Sequence, residues 1–315
     1  MSHSLSHVVA LAGGVGGAKL AHGLAQVLSP DDLTIVVNTG DDFEHLGLSI
    51  SPDLDTVMYA LAGVANATTG WGRADEGWRF MEALRGYGGP GWFNLGDRDL
   101  ATHVWRSDRL RQGETLSEAT AALCQSLGIL HPVVPMTDDR VRTVVDTDEG
   151  ELAFQEYFVA RRCEPRANAI RFVGAHTAAP SPDAARSLAA ADLIVICPSN
   201  PFLSIDPILA VPGVRDLVAG RPTIAVSPIV GGQAIKGPAA KLLGELGHDV
   251  SALSVARYFV GLADAFVLDT IDADLAPAVN ALGLKAVVAD SVMRSDSDRA
   301  ALARVVLEQG LRVDE

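Results

Sequence analysis

Cysteine is scarce. The three in this 315-residue chain, Cys124, Cys163 and Cys197, stand far apart and none begins a C-x-x-C pair, which argues against a disulfide framework and a zinc ribbon and fits a reducing compartment. We read them as buried thiols. Aromatic residues make up only 5% of the chain, and no apolar run approaches the ~18 residues that mark a membrane span. Basic residues are outnumbered: 25 Lys and Arg against 39 Asp and Glu give a formal net charge of −14. That field repels phosphodiester backbones and no basic stripe offsets it, so nucleic acid is not an expected partner. The opening MSHSLSH lacks the basic region, apolar core and cleavage site of a secretory signal, and a cytoplasmic protein is expected.

What the chain does contain is a series of short apolar, β-branched runs separated by helical spacing. They are HVVALA (7–12), LTIVVN (33–38), AIRFVG (169–174), DLIVICPSN (192–200), PTIAVSP (222–228), AFVLD (265–269) and KAVVAD (285–290). Near-continuous apolar strands alternating with helices are what a parallel sheet covered on both faces requires. The expected fold class is α/β, a doubly wound, mostly parallel sheet. Residues 1–55 and 167–315 form its core in this reading, and 56–166 form an inserted, mainly helical subdomain. Within the insertion RVRTVVDTD and ELAFQEYF, turned at Glu149-Gly150, read as an antiparallel pair. All four tryptophans, Trp71, Trp78, Trp92 and Trp105, fall there too; they either core the subdomain or wall a flat ligand.

The first strand runs into GGVGGAK, a glycine-rich turn that opens a helix and presents backbone N–H groups to an anion. It lacks the G-K-[ST] of a Walker A loop, and Lys19 occupies the place of the third glycine in a dinucleotide fingerprint. A phosphate or mononucleotide loop and a tight strand-to-helix turn both remain as readings. After the second strand, NTGDDFEHLGLSISPDLDT places Asp41, Asp42, Asp53 and Asp55 at the sheet's carboxyl edge. Pro52 starts a helix whose first turn holds Asp53, so a capping role stands beside a ligand role for that residue. Asp42 and Asp55 are our expected pair for a hard divalent cation, with Asp41 behind them or as an alternative ligand. His45 reads as a polar contact and not as a ligand.

WFNLGDRDLATHVWRSDRLRQGE follows. Arg98 stands at a helix start between two acids and suits a phosphate or a polar ring edge, whereas Arg109 and Arg111 read as a solvated face. His103 orients substrate or is structural. In the carboxyl half, CPSNP and SPIVGGQAIKGPA end two strands with small polar residues, and Lys236 adds a charge. Each loop alone is ordinary turn chemistry; several at the ends of strands from one sheet outline a site.

In this order, GGVGGAK, NTGDD, SPDLDTVMY, GWFNLGDRDLATH, PSNP and VSPIVGG…KGPAAK closely resemble the 2-phospho-L-lactate transferase (CofD) family of deazaflavin coenzyme biosynthesis. The resemblance implies a Rossmann-like core. It also implies transfer of a phosphorylated C3 acid from a guanosine diphosphate conjugate to the ribityl hydroxyl of the deazaflavin Fo, with release of GMP and a requirement for Mg²⁺. A homodimer and hand-over of substrate from a guanylyltransferase are further implications. Carried onto this sequence, Asp42, Asp55 and Arg98 are catalytic, and Asp55, Arg98, Trp92 and His103 contact Fo. Gly13, Gly14, Gly16, Gly17, Lys19, Ser199, Asn200, Ser227, Gly231, Gly232 and Lys236 surround the nucleotide diphosphate. Phospholactate, phosphoenolpyruvate and 3-phosphoglycerate all remain as the acid. The rival reading is a nucleotide-sugar-binding regulator of the gluconeogenesis-factor type, which shares the core and glycine loop.

Overall fold

A computed structural model describes residues 5–311 of the chain. Seven strands form one parallel sheet: β1 (Val8–Ala12), β2 (Leu33–Val37), β3 (Val133–Pro135), β4 (Leu193–Ile196), β5 (Thr223–Val226), β6 (Ala265–Asp269) and β7 (Lys285–Ala289). Their spatial order is β7-β6-β5-β4-β1-β2-β3, with Val8 in register with both Leu33 and Leu193. The chain thus winds outward in both directions from β1, and the order reverses between β1 and β4. Every residue of β1 is buried. Val8, Ala10 and Ala12 belong to one apolar core and Val9 and Leu11 to another. That alternation is the strand's period of two feeding a helical layer on each face.

Helix α1 (Gly14–Val27) follows β1 and packs along the C-terminal helix Asp296–Gly310. A Cβ at Gly23 would collide with the Arg299 carbonyl, so this helix pair needs a glycine to close. Four helices lie between β2 and β3: α2 (Pro52–Leu61), α3 (Arg79–Gly86), α4 (Asp97–Arg111) and α5 (Leu116–Ser126). A capping box formed by Thr115 and Glu118 fixes the start of α5. No helix among the described residues is long and apolar enough to cross a membrane, and the three cysteines are buried and free.

Two expectations about strands need correction. The run at 169–174 is not part of the parallel sheet: Ala167–Val173 pairs antiparallel with Arg142–Thr147, which pairs in turn with Gly150–Ala153. Its alternating exposure shows why, because one face of this small sheet is wet and only the other packs inward. The hairpin turns at Glu149-Gly150 as expected, but its second strand stops at Ala153 and the chain coils through Glu156–Ala160. The main sheet takes its edge strand β3 from within 56–166, and the side sheet joins residues on both sides of the 166/167 division.

Candidate active site at the carboxyl edge of the sheet

A cleft of about 690 Å³ opens where β1, β2, β4, β5 and β7 end, across the switch between β1 and β4. Its size suits a small-molecule site. At one end lies the glycine loop. Gly14 begins α1 with φ +60° and donates its N–H to Asp53 Oδ1 at 2.7 Å. Asp53 therefore caps the neighbouring helix across the cleft floor and makes no side-chain cap on its own. A Cβ at Gly13 would lie 2.6 Å from Asp53 Oδ2; one at Gly16 would strike the Pro198 carbonyl, and one at Gly17 would lie 2.6 Å from Ser199 Oγ. Gly13, Gly14 and Gly16 line the cleft, whereas Gly17 does not. Part of the glycine pattern is thus close packing of α1 on the loop after β4.

Two lysines reach this end. Lys19 Nζ donates to the Met293 carbonyl at 2.7 Å and Lys236 Nζ to the Thr69 carbonyl at 2.5 Å. Burial, reinforced by the Arg299 and Lys236 charges, pulls the Lys19 amine below its usual range. Ser199 Oγ donates to the Gly13 carbonyl at 2.9 Å, and Asn200 Oδ1 accepts from the Phe202 and Leu203 N–H groups, leaving its buried Nδ2 without a partner among the described residues. Ser227 lines the wall while its hydroxyl donates to the Ile229 carbonyl. Gly231 and Gly232, both at positive φ, form the turn of the Ile229–Ala234 hairpin and stand outside the cleft lining.

The acids divide into two sets. Asn38 Nδ2 lies 3.1 Å from Asp41 Oδ1 and 3.0 Å from Asp53 Oδ2, tying the two together. Burial, then the Asp53 and Asp42 charges, push the Asp41 carboxyl well above the usual range. Burial also raises Asp53 to about 6 and Asp42 to about 7. Asp42 is not part of the cleft wall: Ser51 Oγ donates to its Oδ2 at 2.7 Å, and its buried Oδ1 has no partner among the described residues. The second set is Asp55, Asp99 and His103, whose ligand-type atoms lie within 4.8 Å of one another. Here the charge is already met. Arg106 grips both oxygens of Asp55, His103 Nδ1 lies 3.6 Å from Asp55 Oδ2, and His103 Nε2 lies 3.3 Å from Asp99 Oδ2. The Tyr59 hydroxyl donates to Asp99 Oδ1 at 2.7 Å.

A hard cation needs carboxylate oxygens not already neutralised. Asp41 and Asp53 fit, because both line the cleft and both are destabilised as anions. Asp55 fits less well beside Arg106, and Asp42 points its bonded oxygen at Ser51. Of the expected metal residues, Asp41 is the one that faces the cleft without a bound guanidinium.

Arg98 is exposed and outside the cleft lining, with only its backbone N–H engaged, by Glu76 Oε2 at 2.8 Å. The arginine held at the site is Arg106, two turns further along α4. We expect Arg98→Ala to change stability by no more than about 0.5 kcal/mol in urea melts. Sequence reasoning passed over Arg106 because it stands among exposed basic residues; the signal was its spacing, 3 from His103 and 7 from Asp99, which puts all three on one helix face. Trp71, Trp92, Phe93, Phe154 and Phe158 add aromatic walls to the cleft, and Trp92 meets the His45 ring edge-on at 5.2 Å. The tryptophans do not core a subdomain: Trp71, Trp78 and Trp92 are exposed, and Trp105 packs beneath the Arg109 guanidinium.

Residues 8–308 match the family model for the 2-phospho-L-lactate transferase CofD. The chain belongs to the CofD family. A protein named phosphoenolpyruvate transferase from Streptomyces griseus is 45% identical over 309 residues, 96% of this chain and 97% of that one. Another of that name from Streptomyces coelicolor is 43% identical over 316 residues, covering 98% and 99%. A 2-phospho-L-lactate transferase from Methanopyrus kandleri is 41% identical over 301 residues, covering 94% and 95%. Among solved structures, a UPF0052-family protein from Bacillus halodurans shares the fold, with a TM-score of 0.63 at 14% identity over 97% of this chain and 99% of its own. In this CofD-family chain the strand order, the glycine loop and the acid sets thus sit on a Rossmann-like core.

Proposed function

We propose that this chain moves a phosphorylated C3 acid from its guanosine diphosphate conjugate to the ribityl hydroxyl of Fo and releases GMP. One observation carries the reading: a single cleft is lined by the glycine loop, two lysines, a buried acid set and aromatic side chains. This combination of surfaces suits a nucleoside diphosphate meeting a flat ring through a reactive phosphorus. The hydroxyl oxygen bonds to the phosphorus that carries the acid, the bond from that phosphorus to the GMP oxygen breaks with its electron pair staying on GMP, and the hydroxyl proton passes to the Asp55 carboxylate. Positioning and charge supply most of the rate. Gly13, Gly14, Lys19 and Lys236 hold the diphosphate, and the free Asn200 amide donates to the nucleotide portion. Trp71, Trp92 and Phe158 flank the ring, and Asp55 with His103 faces the hydroxyl. Asp41 and Asp53 hold Mg²⁺, which when bound neutralises diphosphate charge.

The names of the Streptomyces relatives, at 43–45% identity, favour phosphoenolpyruvate as the acid over phospholactate or 3-phosphoglycerate. The reading includes a cytoplasmic homodimer that receives the conjugate from a guanylyltransferase. The test supplies Fo, GTP, Mg²⁺, a guanylyltransferase and each of the three acids in turn, and weighs the deazaflavin products by mass. An enolpyruvyl product with phosphoenolpyruvate, formed mole for mole with GMP, is expected. No product from any acid, together with no binding of Fo or GDP, sinks the transferase and leaves the nucleotide-sugar-binding regulator.

A further inference from the structure

Arg106 is fully buried behind the cleft and does not line it, while Asp55, which it grips, does. Helices α2 and α4 meet here along one seam. Asp55 and Tyr59, four residues apart on α2, face Asp99, Thr102, His103 and Arg106 on α4. Arg106 Nη1 also lies 3.4 Å from the Ser49 carbonyl and 3.4 Å from His103 Nδ1, and Ser107 Oγ accepts the Ser49 N–H at 2.7 Å. The guanidinium therefore touches the strand Leu48–Ile50, the acid on α2 and the histidine on its own helix.

Stability does not account for this arrangement. Removing a guanidinium from water is costly, and a buried ion pair generally gives no more stability than apolar side chains of the same volume. Here the cost is larger still, because Arg106 Nε is buried with no partner among the described residues. What the pair does achieve is geometric. A forked guanidinium fixes both oxygens of a carboxylate, and so the plane in which that carboxylate meets the cleft. Without it, Asp55 could rotate about its side-chain bonds, and His103 would lose Arg106 Nη1 and the fixed Asp55 carboxylate beside its Nδ1, keeping only Asp99 at Nε2.

We propose that Arg106 is a positioning residue that holds Asp55, and through it His103, in the orientation that meets the acceptor hydroxyl. The inference rests on the transferase reading above for its substrate, and its test separates the two. Purified wild type is compared with Arg106→Met, Arg106→Lys, Asp55→Asn, Asp55→Leu, and the Arg106→Met/Asp55→Asn and Arg106→Met/Asp55→Leu doubles. In transfer assays, Arg106→Met lowers kcat about 100-fold, the loss typical of a misplaced reacting group, with KM for Fo moving by less than about threefold. Arg106→Lys recovers at least about tenfold of the lost kcat, since it restores the charge if not the fork. In the Asp55→Asn background, removal of Arg106 costs less than about twofold more, as it must if it acts through Asp55. An equal loss in both backgrounds, or a change carried by KM alone, overturns the inference.

Urea midpoints give the second readout, which needs no turnover. Arg106→Met and Asp55→Leu each lower the midpoint by leaving one charge or one cavity unmatched, and their double returns to the wild-type midpoint or above. A double that loses as much as the two singles together makes the pair a structural brace and overturns the inference. If wild type transfers none of the acids, the transferase reading fails, while the urea midpoints still decide whether the pair is a brace.

Discussion

In the Asp41→Asn variant, transfer falls by at least about 100-fold while the metal-free protein becomes harder to unfold at pH 8. The two effects have one cause. Asp41, Asp42 and Asp53 are buried close enough for their charges to interact, and all three carboxyls are raised, Asp42 to about 7 and Asp53 to about 6. Unfolded aspartates titrate near ~3.9. The folded state therefore holds more protons than the unfolded chain between about pH 4 and pH 7, and stability falls as pH rises through that window. It is fully present below the unfolded value and lost by the time the folded groups ionise. For Asp42 alone, a rise from 3.8 to about 7 corresponds to a loss on the order of 4 kcal/mol. Urea midpoints at pH 5 and pH 8 check this: wild type loses stability between the two, and Asp41→Asn loses less. Added Mg²⁺ reverses the sign by supplying the missing charge, so it stabilises wild type more at pH 8 than at pH 5 and leaves Asp41→Asn nearly unmoved. A wild-type midpoint that is flat with pH would refute the claim that burial holds these carboxyls above their usual range.

Gly16→Ala is the second large effect, and it acts through shape. The added methyl would overlap the Pro198 carbonyl oxygen, a backbone atom that moves only if the loop after β4 moves with it. Overpacking against side chains costs about 1–3 kcal/mol; against a carbonyl next to the buried Ser199, a loss of about 3 kcal/mol or more is expected in urea melts, together with weaker binding of GDP. Gly72→Ala is the control. Gly72 also lines the cleft and sits at φ +71°, but an added Cβ meets no neighbouring atom. It costs only backbone strain, about 1–2 kcal/mol, and equal losses in the two variants would show that the Pro198 contact is not what constrains the loop.

The parallel sheet was legible because its strands are buried on both faces and read as unbroken apolar runs. The same rule misassigned Ala167–Val173, where Ile170 and Phe172 sit in an antiparallel sheet with one wet face. It also passed over β3, whose three residues end in Pro135 and carry too little pattern to stand out. At the site, loop chemistry at strand ends points to the glycine loop, Asp41, Asp55 and Lys236, and the helix that LGDRDLATH opens to His103; all of them line the cleft. Arg106 was not, because a sequence shows that an arginine is on a helix but not which face is buried. Asp53 was weighed as a cap for its own helix, and it caps α1 instead; local sequence carries no trace of a bond that spans 39 positions.

The position of β1 also has a consequence for how the chain is made. Its five residues leave the ribosome well before one of their two neighbours, Leu193–Ile196. Until that partner emerges, β1 offers an open apolar edge on one side, and the glycine loop has no Pro198–Ser199 to close against. Contacts so distant in sequence form slowly and late. The loop is therefore completed only after Pro198–Ser199 has been synthesised, and the stretch between is the period in which a nascent chain most needs protection from aggregation.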